Sequence, residues 1–247
     1  MNIILTPLSQ VLFFITGVEV QADQLIFLST LFISLIGSFA YKHFLQPSSV
    51  PLEVQLLLTS LFGIWIFYLN WGWYIWVPLF DVVGSYLIVR WTSPLVSHKY
   101  VFLFTMSVLS ACHLHTLYLF MYGVAGDTSA DYTSPMMVIT QRLTSLSFSI
   151  ADGFTRNPDS LSDNQKQHAV RKIPSFIEYF SYSFCFLGIM AGPLVFYNYF
   201  MECMKGGKEQ KQAPSALVPV VMKWLVGVGF ISCYVVGGRY FPALRNA

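Results

Sequence analysis

Apolar residues run along this chain in long stretches separated by short polar breaks: Leu25 to Tyr41, Val54 to Leu69, Trp73 to Val89, Tyr100 to Tyr122, Phe176 to Phe200 and Ala216 to Val236. Each helical residue adds about 1.5 Å, so crossing a hydrocarbon core of about 30 Å takes about 20 residues. Several of these stretches are therefore expected to be short, untilted or incomplete spans. Trp71, Trp73 and Trp76, beside Asn70 and Gly72, read as an interfacial aromatic belt at a tight helical turn.

One stretch is interrupted. In "SFCFLGIMAGPLVFYNYF", Ser183 to Phe200, an apolar run meets Gly192 and Pro193, and tyrosines and an asparagine follow. Every backbone polar group in hydrocarbon needs a partner within the protein, so a lipid-facing break costs several kcal/mol. The break is expected where protein packs against it or a cavity opens beside it.

The segment "PMMVITQRLTSLSFSIA", Pro135 to Ala151, has helical periodicity: Ile139, Leu143, Leu146 and Ile150 share one face. Thr140, Thr144 and Ser147 fall on another face, with Gln141 and Ser145 beside them and Arg142 further round. Two readings stand: a helix lining a polar cavity or interface, or an ordinary helix packed by small polar residues. Ser134 is placed as N-cap with Pro135 at the first helical position, and Gly153 is placed to end the helix in a left-handed conformation. The polar loop that follows, 154–173, ends in "PSFIEY", where Ser175 and Glu178 have capping-box spacing.

Composition sets the class. The chain has 247 residues, 55% hydrophobic, 17% aromatic and 11% charged, with a mean hydropathy of +0.58, which excludes an ordinary soluble domain. The expected fold is an all-α polytopic membrane protein, a multi-helix bundle with a broken or re-entrant helix, forming a single transmembrane domain over 1–247. A net charge of +2, spread over short loops, gives no basis for nucleic-acid binding. Met1 to Val18 has no Lys or Arg before its apolar run and fits a signal peptide poorly; an interfacial or first membrane helix is expected. The sequence contains no N-x-[ST] acceptor site.

Charge also constrains topology. With Lys42 cytosolic, successive crossings put Asn70 to Gly72 outside, Arg90 to Lys99 inside, and Asp127 and Asp131 outside, following the positive-inside tendency. Glu19 and Asp23 then lie outside. Lys205, Lys208 and Lys211 break the pattern if Pro135 to Ala151 and Phe176 to Phe200 both cross fully. One of the two is expected not to be a simple crossing, and Pro135 to Ala151 is the first candidate.

Candidate chemistry is sparse. Cys112, Cys185 and Cys233 fall in apolar stretches and read as small packing residues, with no metal or redox spacing among the four cysteines. His113 and His115, two apart in an apolar helix, point about 200° from one another and cannot share a metal ion or proton path. His43, His98 and His168 lie in loops or near helix ends. Asp81 in "WVPLFDVVGSYLIV" is a functional candidate because an ionisable residue there is expensive, or an N-cap after a break at Pro78. Lys223 in "VVMKWLVG" raises the same question, or snorkels. No hydrolase, phosphate-loop or dinucleotide signature is present.

The run "SPMMVITQRLTSLSFSIADG", followed by "RKIPSFIEYFSYSFCFLGIMAGPLVFYNY", resembles the membrane-bound O-acyltransferase family, in its lysophospholipid acyltransferase branch. The shared features are a Gln-Arg pair before Thr-Ser-Leu, an Asp-Gly pair, Pro-Ser then Glu-Tyr, a Ser-Tyr pair, and Ala-Gly-Pro before aromatic residues. Asp23 and Gln24 add to the likeness, which is weak before Asp131 and strong from Asp131 to Phe200. The resemblance implies a helical enclosure around a tunnel. There a buried histidine takes a proton from a lysophospholipid hydroxyl, whose oxygen attacks the thioester of acyl-CoA, and an asparagine assists.

It further implies an endoplasmic-reticulum location, acyl-CoA as co-substrate with no cofactor or metal, and substrate-tunnel candidates at Gln141, Arg142, Tyr182, Gly192, Pro193, Tyr197 and Asn198. The family's Trp-Asn motif and catalytic histidine belong well downstream of Ala-Gly-Pro. This chain is therefore expected to be an N-terminal half, a fragment or shortened isoform, inactive alone and with no catalytic residue assigned. The alternatives are a non-catalytic membrane interaction protein and a small transporter, the latter disfavoured by the absence of an internal repeat.

Overall fold

A computed structural model describes residues 22–44, 50–122, 131–155, 161–190, 192–206 and 217–240. The expectation for Met1 to Val18 lies outside them, as do Asp127, Lys208 and Lys211. The described regular structure is helical: α1 (Ala22–Phe44), α2 (Leu52–Trp71), α3 (Trp76–Trp91), α4 (Pro94–Met121), α5 (Thr133–Gly153), α6 (Asp163–His168), α7 (Phe176–Phe184), α8 (Tyr197–Lys205) and α9 (Leu217–Tyr240). Among the described residues, two helical stretches are long and apolar enough to cross a membrane: Leu52–Trp91, which joins α2 and α3, and Pro94–Met121.

The joint between α2 and α3 is a 3-10 turn, Gly72–Ile75. Gly72 adopts φ 54°, a left-handed value that a side chain disfavours, so the glycine sets the turn. The tryptophans beside it divide: Trp73 is 83% and Trp76 53% exposed, whereas Trp71 is buried against Phe67, its ring 4.7 Å away, and is a core residue rather than part of a belt.

α5 is the central element, packed along α4 and touching α3, α6 and α7. Its buried face carries Ile139, Leu143, Leu146 and Ile150, as the periodicity predicts, and also Arg142. Arg142, expected further round the helix from the polar residues, points into the core. The start of α5 differs too. The N-cap position is Tyr132, not Ser134, and Asp131 before it accepts from Thr133 N at 2.9 Å and from Thr133 Oγ1 at 2.7 Å. Gly153 has no left-handed φ; it is required because a methyl group there would overlap the carbonyl of Val170.

Ser175 and Glu178 do form the capping box at α7: Ser175 N donates to Glu178 Oε2 at 2.7 Å, and Glu178 N to Ser175 Oγ at 3.3 Å. The loop 154–173 is not bare, since α6 forms within it behind a second box, Ser162 with Gln165. Phe176 to Phe200 is divided into two helices of 9 residues each. Each is about 14 Å long and neither crosses a bilayer by itself. α5 is continuous over 21 residues but is not among the helices apolar enough to span, so both segments depart from a simple crossing.

Pro78 does not break α3, because it sits in the first turn, where its missing N–H has no helical partner to lose. Asp81 is thus within the helix, not a cap, and is fully buried against protein. Cys112 and Cys185 are buried, but Cys233 is exposed on α9 and does not pack as expected. Lys223 is exposed on the same helix.

Candidate functional site

α7 ends at Phe184, and its last carbonyl groups have no helical partner. Arg142, only 2% exposed, supplies one. Its Nη1 donates to the carbonyl oxygens of Tyr182 at 3.2 Å, Ser183 at 3.1 Å and Cys185 at 3.0 Å, and its Nη2 to that of Leu187 at 2.7 Å. A guanidinium is suited to this role because its planar fork presents several donors at once. A positive charge at a helix C-terminus is also favoured by the helix dipole. The buried cation is thus matched by four carbonyl dipoles; its Nε alone has no partner.

The chain beyond α7 then turns on two glycines. Gly188 takes φ 74°, and Gly192 N donates to Gly188 O at 3.0 Å. A methyl group at Gly192 would overlap Gly188, and one at Gly188 would lie 3.5 Å from Arg142 Nη2. On the opposite side α2 comes close: Gly63 leaves no room for a methyl group against the Phe184 carbonyl. The break runs from Cys185 to Phe196, wider than the Gly192 and Pro193 signal alone, and it packs on protein through Arg142.

Tyr182 anchors the far end of the break. Its hydroxyl donates to Val195 O at 2.7 Å, and its ring meets Tyr197 edge-on, centroids 5.6 Å apart, and Phe200 at 5.5 Å. Asn198 Nδ2 donates to the carbonyl oxygens of Gln167 at 3.1 Å and Ala169 at 3.3 Å, tying α8 to the C-terminal end of α6. Between these elements lies an open groove of about 580 Å³ whose lining includes Arg171, Lys172, Glu178, Tyr197, Asn198 and Lys205. Burial, then the neighbouring Glu178 carboxylate, raise the Tyr197 phenol well above its ordinary value, so it stays neutral and can donate a hydrogen bond.

Of the residues expected to line a tunnel, Arg142, Tyr182, Tyr197 and Asn198 belong to this one assembly. Only Tyr197 and Asn198 line the groove. Gly192 shapes the turn, whereas Pro193 and Gln141 are exposed and line none of the described cavities. Sequence reasoning missed the groove's charged rim. Its signal is the "VRKIP" run, Val170 to Pro174, at the end of the polar loop.

A second polar group sits deeper. Both oxygens of Asp81, Ser85 Oγ and Tyr179 OH are buried without a partner, on α3 and on α7 where these helices touch. His115 Nδ1 lies 3.0 Å from Tyr132 OH, and Tyr132 stacks on Tyr74 at 4.4 Å. His113 is exposed and does not share that contact. Among the described residues, no group of three or more His, Cys, Asp or Glu side chains is arranged to hold a metal ion.

Comparison with known proteins bears on this assembly directly. The model of the membrane-bound O-acyltransferase family matches residues 117–241, half of the chain and all of the clamp and groove. The chain is 32% identical to human membrane-bound glycerophospholipid O-acyltransferase 2 over 238 residues, covering 90% of this chain and 44% of that protein. It is 35% identical to lysophospholipid acyltransferase 6 of Drosophila melanogaster over 193 residues, covering 76% of this chain and 26% of the relative. To rat lysophospholipid acyltransferase 5 it is 27% identical over 221 residues, covering 88% and 43%. The chain thus spans less than half the length of each of these relatives.

Proposed function

The chain belongs to the membrane-bound O-acyltransferase family, and on that premise we propose that it serves the transfer of a fatty acyl group from acyl-CoA to the hydroxyl of a lysophospholipid. One observation carries this reading: the family match spans the whole Arg142 clamp and the groove beside it, and the relatives it aligns with are named for glycerophospholipid and lysophospholipid acylation. In such a transfer the hydroxyl oxygen attacks the thioester carbonyl, its proton passes to a base, and the CoA thiolate leaves and is protonated. The base must come within about 2.6 to 3.2 Å of the hydroxyl.

The role proposed for this chain is to form one wall of the substrate site. The Arg142 clamp fixes the break, and Tyr197 and Asn198 present polar groups to a bound lipid from α8. We further propose that the 247-residue polypeptide alone does not turn over. In support, none of the described histidine side chains, His98, His113, His115 and His168, lines the groove. The long apolar helices support a multi-pass membrane protein, and the internal membrane proposed for it, such as the endoplasmic reticulum, is the one the family resemblance implies.

Two assays test this. A chimera in which this chain replaces the aligned residues of the human relative is expected to acylate lysophospholipids from labelled oleoyl-CoA, and an inactive but folded chimera would overturn the reading. The chain alone in vesicles is expected to give no product above a protein-free control. Turnover that disappears on His113→Ala or His115→Ala would place the base in this chain instead.

A further inference from the structure

Where α3 ends, α5 exits and α7 is capped, a second cavity of about 470 Å³ opens, lined by Tyr86, Arg90, Phe154, Arg171, Lys172, Ile173, Pro174 and Ser175. Among the described residues its lining holds three cations and no carboxylate. Two of those cations sit on the strap between α6 and α7, which is not loose: Val170 N donates to Ser149 O at 2.8 Å, and the strap lies against Gly153 with no space for a methyl group. The strap therefore holds Arg171 and Lys172 at a fixed place opposite Arg90, in the last turn of α3.

The mouth of this cavity is aromatic. Trp91, next to Arg90, is 78% exposed, Phe176 is 43% exposed and packs its ring 5.1 Å from Tyr86, and Phe154 in the lining is 38% exposed. Large aromatic side chains beside cations at the ends of apolar helices match the head-group layer of a bilayer, where amphipathic rings settle. The Ser175 and Glu178 box takes two of the donors at the start of α7, and the cations of the cavity are side chains. Arginine and lysine side chains suit phosphate oxygens, arginine in a two-pronged way. A freely soluble phosphate would leave the aromatic rim without a role.

We propose that Arg90, Arg171 and Lys172 bind the phosphate head group of an anionic phospholipid of the surrounding bilayer, holding the strap at the membrane surface. The bound lipid is a resident of the interface; Arg171 and Lys172 also line the groove, and Arg90 is the cation that belongs to this cavity and not to the groove. Phosphatidic acid is the probe of choice, since its phosphate monoester carries the most charge at the smallest head group.

The test uses the full chain in detergent micelles, offered an equal mixture of phosphatidic acid and phosphatidylcholine, with retained lipid read by native mass spectrometry. Phosphatidic acid is expected to be enriched, and each of Arg90→Gln, Arg171→Gln and Lys172→Gln to lower the enrichment by about fivefold, the share expected of one interfacial cation. Lys99→Gln, at the exposed start of α4, is expected to leave it unchanged. Arg171→Lys, which keeps the charge, is expected to retain most of it, and helical content is read on every variant to confirm the fold. Unchanged enrichment in the triple variant, an equal loss in Lys99→Gln, or full displacement by inorganic phosphate at matched concentration would each overturn the proposal.

Discussion

Arg142 Nη2 and the carbonyl oxygen of Leu187 are 2.7 Å apart, although the residues are separated by 45 positions and by the whole of α7. The shortest of the four bonds made by the guanidinium reaches furthest along the chain. It fixes where the backbone goes after the helix has ended.

Replacing Arg142 with Met removes the charge and leaves the four carbonyl groups without their donor. The expected loss is about 3 kcal/mol or more, within the range for breaking a buried charged network. Arg142→Lys keeps the charge but not the fork and is expected to recover only part of it. Thermal unfolding in detergent measures both, and limited proteolysis should open first between Cys185 and Phe196. An unchanged melting temperature in Arg142→Met would show that the clamp carries no stability.

Gly63→Ala places a methyl group onto the Phe184 carbonyl, a backbone atom that cannot swing aside. A cost of about 1 to 3 kcal/mol is expected from such overpacking. Gly227→Ala meets nothing within 4 Å and is expected to be neutral or to stabilise α9 by up to about 1 kcal/mol. Equal melting temperatures for the two variants would count against the close approach of α2 to α7.

Asp81→Asn swaps a buried carboxyl group for a neutral amide of the same shape. Neither carboxylate oxygen has a protein partner, so no hydrogen bond is lost. The variant is expected to match or exceed the melting temperature of the parent at neutral pH. A marked destabilisation would show that Asp81 is charged and held by a cation or by water.

The helix starts give the smallest effects. Ser175→Ala and Asp131→Ala each remove an acceptor from a helix start, and each is expected to cost about 1 kcal/mol. Circular dichroism melts would resolve them, and a difference near zero in both would refute these assignments.

These features differ in how visible they are in one dimension. The box at Ser175 and Glu178 spans three residues, so its spacing alone reveals it. The break in Phe176 to Phe200 announced itself through Gly192 and Pro193, yet the helix stops at Phe184, because Arg142 offers its carbonyls a better partner than another helical turn would. That choice depends on a residue 40 or more positions away, which periodicity along one helix does not reveal. Tyr197 and Asn198, candidates from the family likeness, line the groove. The cations of the "VRKIP" strap, by contrast, looked like any solvated loop until the fold set them opposite Arg90.

Because the guanidinium of Arg142 holds only main-chain oxygens, the clamp is blind to the side chains it organises. Positions 183, 185 and 187 can be exchanged without touching a single bond to it, provided the new residues fit. The segment is therefore a mounting whose fittings are interchangeable: its side chains can be retuned residue by residue while the frame stays where one arginine put it.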